Sequence, residues 1–322
     1  MGLSAPRKIL GEKSGFSPGD DTPTIKLALD IILGISAALG WGVADLSARF
    51  SSRRIGAFRT LIVMQFFGFT ALSIFLWLTG GFSRTFAPGW APWLFAAIAG
   101  LINTVAGLAL YHSFEVGAIS IAGPVSSSYP ALTVALAVAS GERIHAIRGA
   151  GLALTFIGMI LAALAFAPDE KHAIDPRTHH AHAHLSKGAA FAIVAAVGYG
   201  VMFWWLGFHV VPLIGSGLSV WVIRLTTFSV LLLVGLPTGK ALPLPRGNVW
   251  WLLLVTGLMD TSAFVANNAG MGAGHVAVVS VLASLYGAVT VLLARIFLRE
   301  RMERSQWFGI ALIFVGIVLV SL

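Results

Sequence analysis

The chain has 322 residues, of which 57% are hydrophobic and only 11% charged, whereas a soluble globular protein carries about 25% charged residues. Water is therefore excluded as its main solvent. A formal charge of +8 would suggest nucleic acid in a soluble domain, but the bases lie between apolar runs, in "ARFSSRRIGAFR" (48 to 59) and "RIFLRERMER" (295 to 304), where they meet anionic lipid headgroups instead.

Residues 1–27 are polar and rich in Gly, Pro and Asp, without the apolar core of a signal peptide, and are expected to form a tail. Pro6 breaks the myristoylation pattern that Gly2 would begin. A spanning helix needs about 20 mostly apolar residues, and ten such runs follow. The first, 28 to 49, places Trp41, Asp45 and Arg49 at i, i+4 and i+8 on one face. Asp45 and Arg49 are spaced for a helical ion pair; alternatively Asp45 is a proton or cation site at the mouth of a cavity walled by Trp41.

The second run, 60 to 79, ends at the breaker-rich "TGGFSRTFAPG", and the third, 91 to 114, carries Asn103. In the fourth, 118 to 139, "AGPVSSSYP" sets Pro124 and Pro130 around three serines and Tyr129. Proline removes backbone donors, and such interrupted segments are tolerated where they line protein or a cavity. Small hydroxyl residues are also ordinary packing contacts between helices. The fifth run is 147 to 166, and residues 167–187 then read as a linker loop with His172, His179, His180, His182 and His184. That density has an affinity for Zn²⁺ or Ni²⁺, but no intramembrane carboxylate and histidine stand at metal-site spacing, so no metal ligand or cofactor is assigned.

The sixth run, 188 to 210, carries Tyr199 and the adjacent Trp204 and Trp205, which point apart on a helix. Arg224 lies in the seventh, 218 to 236, which ends at "PTGKALPLPRGN". The eighth, 249 to 271, has Asp260 near its middle, with Phe264 and Asn267 returning to the same face. The ninth, 275 to 297, carries Ser284 and Tyr286, and the tenth is 305 to 322. An ionisable group is costly in hydrocarbon and persists mainly where it faces a cavity or a partner. Asp45, Arg224 and Asp260 therefore mark a polar pathway. Asp260 either pairs with Arg224 and locks two helices together, or binds cargo or a proton, and the two roles can coexist.

The halves align on each other at a shift of 158 residues: "GWGV" (40 to 43) on "GYGV" (198 to 201), Glu142 and Arg143 on Glu300 and Arg301, "GLALTFIG" (151 to 158) on "GIALIFVG" (309 to 316). Trp41 falls on Tyr199, Asp45 on Phe203 and Asn103 on Thr261. The chain is an internal duplication. With five spans in each half, an odd number, the second copy enters the membrane with opposite polarity, and such inverted repeats place binding sites near the midplane.

On these features the chain resembles the drug/metabolite transporter superfamily, specifically its ten-helix proteins with two EamA-type repeats. The resemblance rests on the five-plus-five plan, the Gly-flanked aromatic on the first helix of each repeat, and the "GER" and "RER" turns before each "G-x-A-L-x-F-x-G" helix. It implies an all-α integral membrane fold, with repeats at 28–166 and 188–322, in the plasma (inner) membrane of a bacterium or archaeon. It also implies transport of amino acids, other metabolites, nucleotide-linked sugars or drugs. The Lys and Arg count by loop parity, seven on the side of the termini against thirteen opposite, points to termini outside the cytoplasm, whereas the resemblance implies termini inside.

No cysteine occurs, so disulfides and thiolate chemistry are excluded. Phosphate-loop, "G-x-S-x-G" and "H-E-x-x-H" motifs are also lacking, so an enzyme is not expected. The expected function is secondary transport of a small polar or amphiphilic metabolite, of amino-acid type, by alternating access. The partners are then a small-molecule substrate and the bilayer, with possible proton coupling and no nucleic acid. Trp41, Tyr129, Tyr199 and Tyr286 supply aromatic walls, Asn103, Asp260 and Asn267 supply polar anchors, and Arg224 orients Asp260. One rival is efflux of lipophilic cations, with Asp45 beside Trp41 in the main role. The other is a sensor that moves nothing and reads metal with the histidine loop.

Overall fold

The computed structural model describes residues 23–82, 89–140, 146–164, 176–239, 245–272, 279, 282–300 and 304–321. Most of the N-terminal tail, Glu142, Arg143, His172 and His275 fall outside them, as do the side chains of His179, His180, His182 and His184. Among the described residues the secondary structure is helical throughout: α1 (Pro23–Ile55), α2 (Ala57–Leu78), α3 (Ala91–Val116), α4 (Ile119–Ser126), α5 (Tyr129–Ala139), α6 (Ala146–Leu164), α7 (Pro176–His209), α8 (Val211–Gly235), α9 (Val249–Gly272), α10 (Tyr286–Leu293) and α11 (Arg304–Ser321). A π-helical turn, Ala294–Leu298, extends α10.

Seven described helices are long and apolar enough to cross a bilayer, and shorter apolar helices cover 149–158, 282–298 and 307–319. Large apolar side chains cover the outside, among them Leu78, Leu233 and Leu292, as lipid contact requires. Trp77, Trp90, Trp251 and Trp307 are exposed near helix ends, where an indole sits with its ring in hydrocarbon and its N–H among headgroups.

The breaks follow from local chemistry. The fourth apolar run divides into α4 and α5 at Ser127 and Ser128, between the two prolines that interrupt its hydrogen-bond ladder. Gly215 takes φ 75° inside α8, a left-handed value that glycine adopts without penalty. One boundary differs from expectation. Helix α7 starts at Pro176, so its backbone takes in residues 176–187 of the expected linker loop. Proline at a first helical position loses no hydrogen bond, and no glycine interrupts the run before Gly188.

The most extensive packing joins the two halves. Helix α1 packs on α9 and α3 on α7, α2 on α9 and α8 on α3, and α1 on α10 and α7 on α5. Each of these is a pair of contacts exchanged by the 158-residue shift. The contact of α6 with α11 maps onto itself. There a Cβ on Gly158 would lie 2.7 Å from both the Gly309 carbonyl oxygen and the Ile313 amide nitrogen, and one on Gly316 would lie 2.7 Å from the Gly151 oxygen and 2.6 Å from the Thr155 nitrogen. Backbone meets backbone because both glycines lack a side chain, the small-residue solution to packing in lipid. Gly158→Val or Gly316→Val should cost about 1–3 kcal/mol through overpacking, read as a lower melting temperature in detergent. Gly149→Val, where a Cβ meets nothing within 4 Å, is the control; equal melting of Gly158→Val and the control would refute this account.

Candidate functional site

Between the halves lies a cavity lined by α1, α2, α3, α5, α7, α8, α9 and α10. Its ionisable walls are Asp45, Arg224 and Asp260, and Trp41, Asn103, Tyr129, Tyr199 and Tyr286 also line it. Residues drawn from sequence positions almost 250 apart thus meet in one space. About 50 Å³ of it is open to the centre of a water-sized sphere; since each water needs about 10–15 Å³ on that measure, only a few waters fit. A metabolite of ordinary size requires the walls to move apart.

Arg224 is 1% exposed. Its Nη2 lies 2.5 Å from Asp260 Oδ2, its Nη1 donates to Gln65 Oε1 at 2.6 Å, and its guanidinium carbon stands 5.6 Å from the Phe264 ring centroid. One cation therefore ties α8 to α2 and α9. A guanidinium suits this position because it holds several acceptors at fixed angles while its face rests on a ring. The expected Arg224 and Asp260 pair is formed.

Asp45, 5% exposed, accepts a hydrogen bond from Thr290 Oγ1 at 3.1 Å. It forms no ion pair with Arg49, contrary to the reading from their spacing. Arg49 turns away, donating from Nη1 to the Phe114 carbonyl and standing 3.5 Å from Glu300. Two neighbouring helices offer these residues better partners than the i+4 position does. The charged residues lining the cavity are then two carboxylates and one guanidinium.

The aromatic wall is continuous. Trp41 stands 5.6 Å from Tyr286, 6.2 Å from Phe203 and 6.3 Å from Phe264, and Tyr129 stacks on Phe203 at 4.7 Å. Tyr286 donates its hydroxyl to Ser126 Oγ at 3.1 Å, and Ser126 in turn donates to the Gly123 carbonyl. Asn103 donates to Thr227 Oγ1 at 3.1 Å, which in turn donates to the Gly100 carbonyl.

Asn267 is buried but does not line the cavity. Beyond Phe264 the polar side of α9 is taken up by packing on α8, where Asn268 reaches Ser219 at 3.4 Å. Trp204 and Trp205 also lie off the cavity, and Trp205 Nε1 donates to the Phe95 carbonyl. Gln65 and Tyr111 line it without having been singled out in the sequence. The signal for Gln65 was present, since an amide inside an apolar run needs a partner just as a carboxylate does. Among the described residues no three His, Asp or Glu side chains gather as metal ligands.

Comparison with known proteins adds a family and a fold. The model of the EamA-like transporter family matches the chain twice, at residues 28–164 and 186–322. No curated protein matches. A solved crystal structure of a protein without a more specific description covers 90% of this chain and 94% of its own, at TM-score 0.65 and 19% identity, a likeness of fold alone.

Proposed function

The chain belongs to the EamA-like transporter family, and from that premise we propose that it is a secondary transporter of a small polar or amphiphilic metabolite of amino-acid type. The observation that carries this is the narrow cavity between the halves, with carboxylate, guanidinium and aromatic groups on its walls. An amino acid presents an ammonium group, a carboxylate and a side chain, and each has a counterpart there. Asp45 or Asp260 takes the ammonium, Arg224 faces the carboxylate, and Trp41, Tyr129, Tyr199 and Tyr286 hold the apolar part, with Asn103 as a further polar anchor.

Ten crossings, as two inverted five-helix repeats at 28–166 and 188–322, are supported by seven long apolar helices, three shorter ones and packing pairs exchanged by the internal shift. Rocking of one repeat against the other then opens the cavity to each face in turn. The membrane is the plasma (inner) membrane of a bacterium or archaeon. Efflux of lipophilic cations is the second reading, favoured by the excess of carboxylate on the cavity wall. Coupling to protons runs through Asp45 in either reading.

Purified protein in detergent is to be melted against amino acids, nucleosides, sugar derivatives, quaternary cations and Zn²⁺, since a ligand that prefers the native state stabilises it. Amino acids should raise the melting temperature of the native protein and not that of Asp260→Asn. A rise with quaternary cations alone would transfer the assignment to cation efflux, and one with Zn²⁺ alone to the sensor reading.

A further inference from the structure

Three of the helices that wall the cavity continue from it toward one end of the bundle, and there they are tied together. On α1, Arg49 lies one turn beyond the cavity-lining Asp45. On α3, Phe114 lies one turn beyond Leu110 and Tyr111, which also line the cavity. On α10, the chain runs from Tyr286 through the π-helical turn Ala294–Leu298 to Glu300. Arg49 donates to the Phe114 carbonyl and stands 3.5 Å from Glu300 Oε1, while Glu300 Oε2 accepts from the backbone N–H of Ser120 on α4 at 3.0 Å. Phe114 is fully buried and Arg49 is 5% exposed, so this layer forms a packed, buried tier beyond the cavity at that end.

The backbone that delivers Glu300 is unusual. Arg299 takes φ 53°, the only positive φ on a residue other than glycine among those described. A left-handed arginine following a π-helical turn is a conformation that L-residues seldom adopt and that tends to mark functional positions. The arrangement is also one-sided. At the shift of 158 residues, Arg49 falls on Gly207, Phe114 on Gly272 and Ser120 on Val278, so the second half supplies no arginine at the corresponding place.

We propose that Arg49 and Glu300 form a breakable latch that closes the cavity at the end where α1 and α3 terminate, and that must open once in each transport cycle. The inference rests on the alternating-access reading and assigns it a gate. Each component suits that role: the ion pair bridges α1 of the first half to the end of α10 in the second, and Glu300 adds α4 through one hydrogen bond. A charged pair at 3.5 Å with partial exposure of Glu300 is strong enough to bias the closed state and weak enough to part.

The absence of native cysteine allows a direct test. Leu110→Cys places one thiol on the cavity wall beside the latch, and membrane-impermeant thiol reagents are applied from each face of oriented vesicles. With the latch intact, labelling from the latch face should be slow but measurable. Arg49→Ala should raise that rate about tenfold, the effect of losing a hydrogen bond to a charged group, and slow labelling from the opposite face. Glu300→Gln, which keeps one oxygen for the Ser120 N–H and replaces the charged acceptor facing Arg49 by an amide, should act in the same direction if Arg49→Ala proves unstable. Equal labelling with and without these substitutions, in protein that melts normally, overturns the latch alone. No labelling from the latch face in any variant overturns the latch and the alternating-access reading together.

Discussion

Arg224→Met should abolish transport and cost about 3–5 kcal/mol of stability, the penalty for removing one partner of a buried ion pair. Met is chosen because it fills much of the arginine volume, so a cavity contributes little. What remains is Asp260 without the cation 2.5 Å away, Gln65 Oε1 without its donor and Phe264 without the guanidinium against its ring. Transport and stability then fall together, which by itself does not separate the two roles. The double variant Arg224→Met with Asp260→Leu separates them, because replacing both charges by apolar groups restores much of the stability that breaking the pair removes. It should melt within a few degrees of the native protein and still carry no flux in proteoliposomes. Recovery of flux along with stability would mean that the pair serves only to hold α8 against α9.

Asp45→Asn should show the opposite pattern, with transport reduced at least about tenfold and the melting temperature unchanged or raised. Asparagine has nearly the same shape and can accept the Thr290 hydroxyl in place of the carboxylate. It also removes a buried carboxyl that forms no ion pair among the described residues, and burying such a group is costly whether it folds charged or takes up a proton. A residue whose removal stabilises the protein while ending its activity is kept for what it does. The measurement is paired flux and melting on the same preparation; unchanged flux would remove Asp45 from the pathway, and a large fall in melting temperature would reassign it to packing.

The sequence made the membrane class, the duplication and much of the cavity wall legible, for identifiable reasons. Hydrocarbon excludes charge, so Asp45, Arg224 and Asp260 stood out against apolar neighbours and all three line the cavity. The same contrast would have exposed Gln65, but an amide is a weaker signal than a charge. Helical spacing gives the face of a single helix and nothing about the neighbour that meets it. Asp45 and Arg49 share a face, yet their partners come from α10, α3 and Glu300. Asn267 shares a face with Asp260, yet only Asp260 reaches the cavity. The start of α7 at Pro176 was hidden because five histidines read as a polar loop although none of them forbids a helix.

The interlocking of the halves bears on the order in which the protein is made. The Asp45 hydrogen bond spans 245 residues of sequence and the Arg49 to Glu300 contact spans 251. At about 5–20 residues per second, α1 waits roughly 10–50 s in the translocation machinery or the bilayer before its partners are synthesised. During that interval an aspartate and an arginine must be tolerated on a lone helix, where an ionisable group without a partner is costly in hydrocarbon. Their i, i+4 spacing is that of a helical ion pair, yet the finished fold gives each a partner from elsewhere in the chain. The contacts of Asp45 with Thr290 and of Arg49 with Glu300 form only once α10 and Glu300 have been made, which sets them among the last steps of assembly.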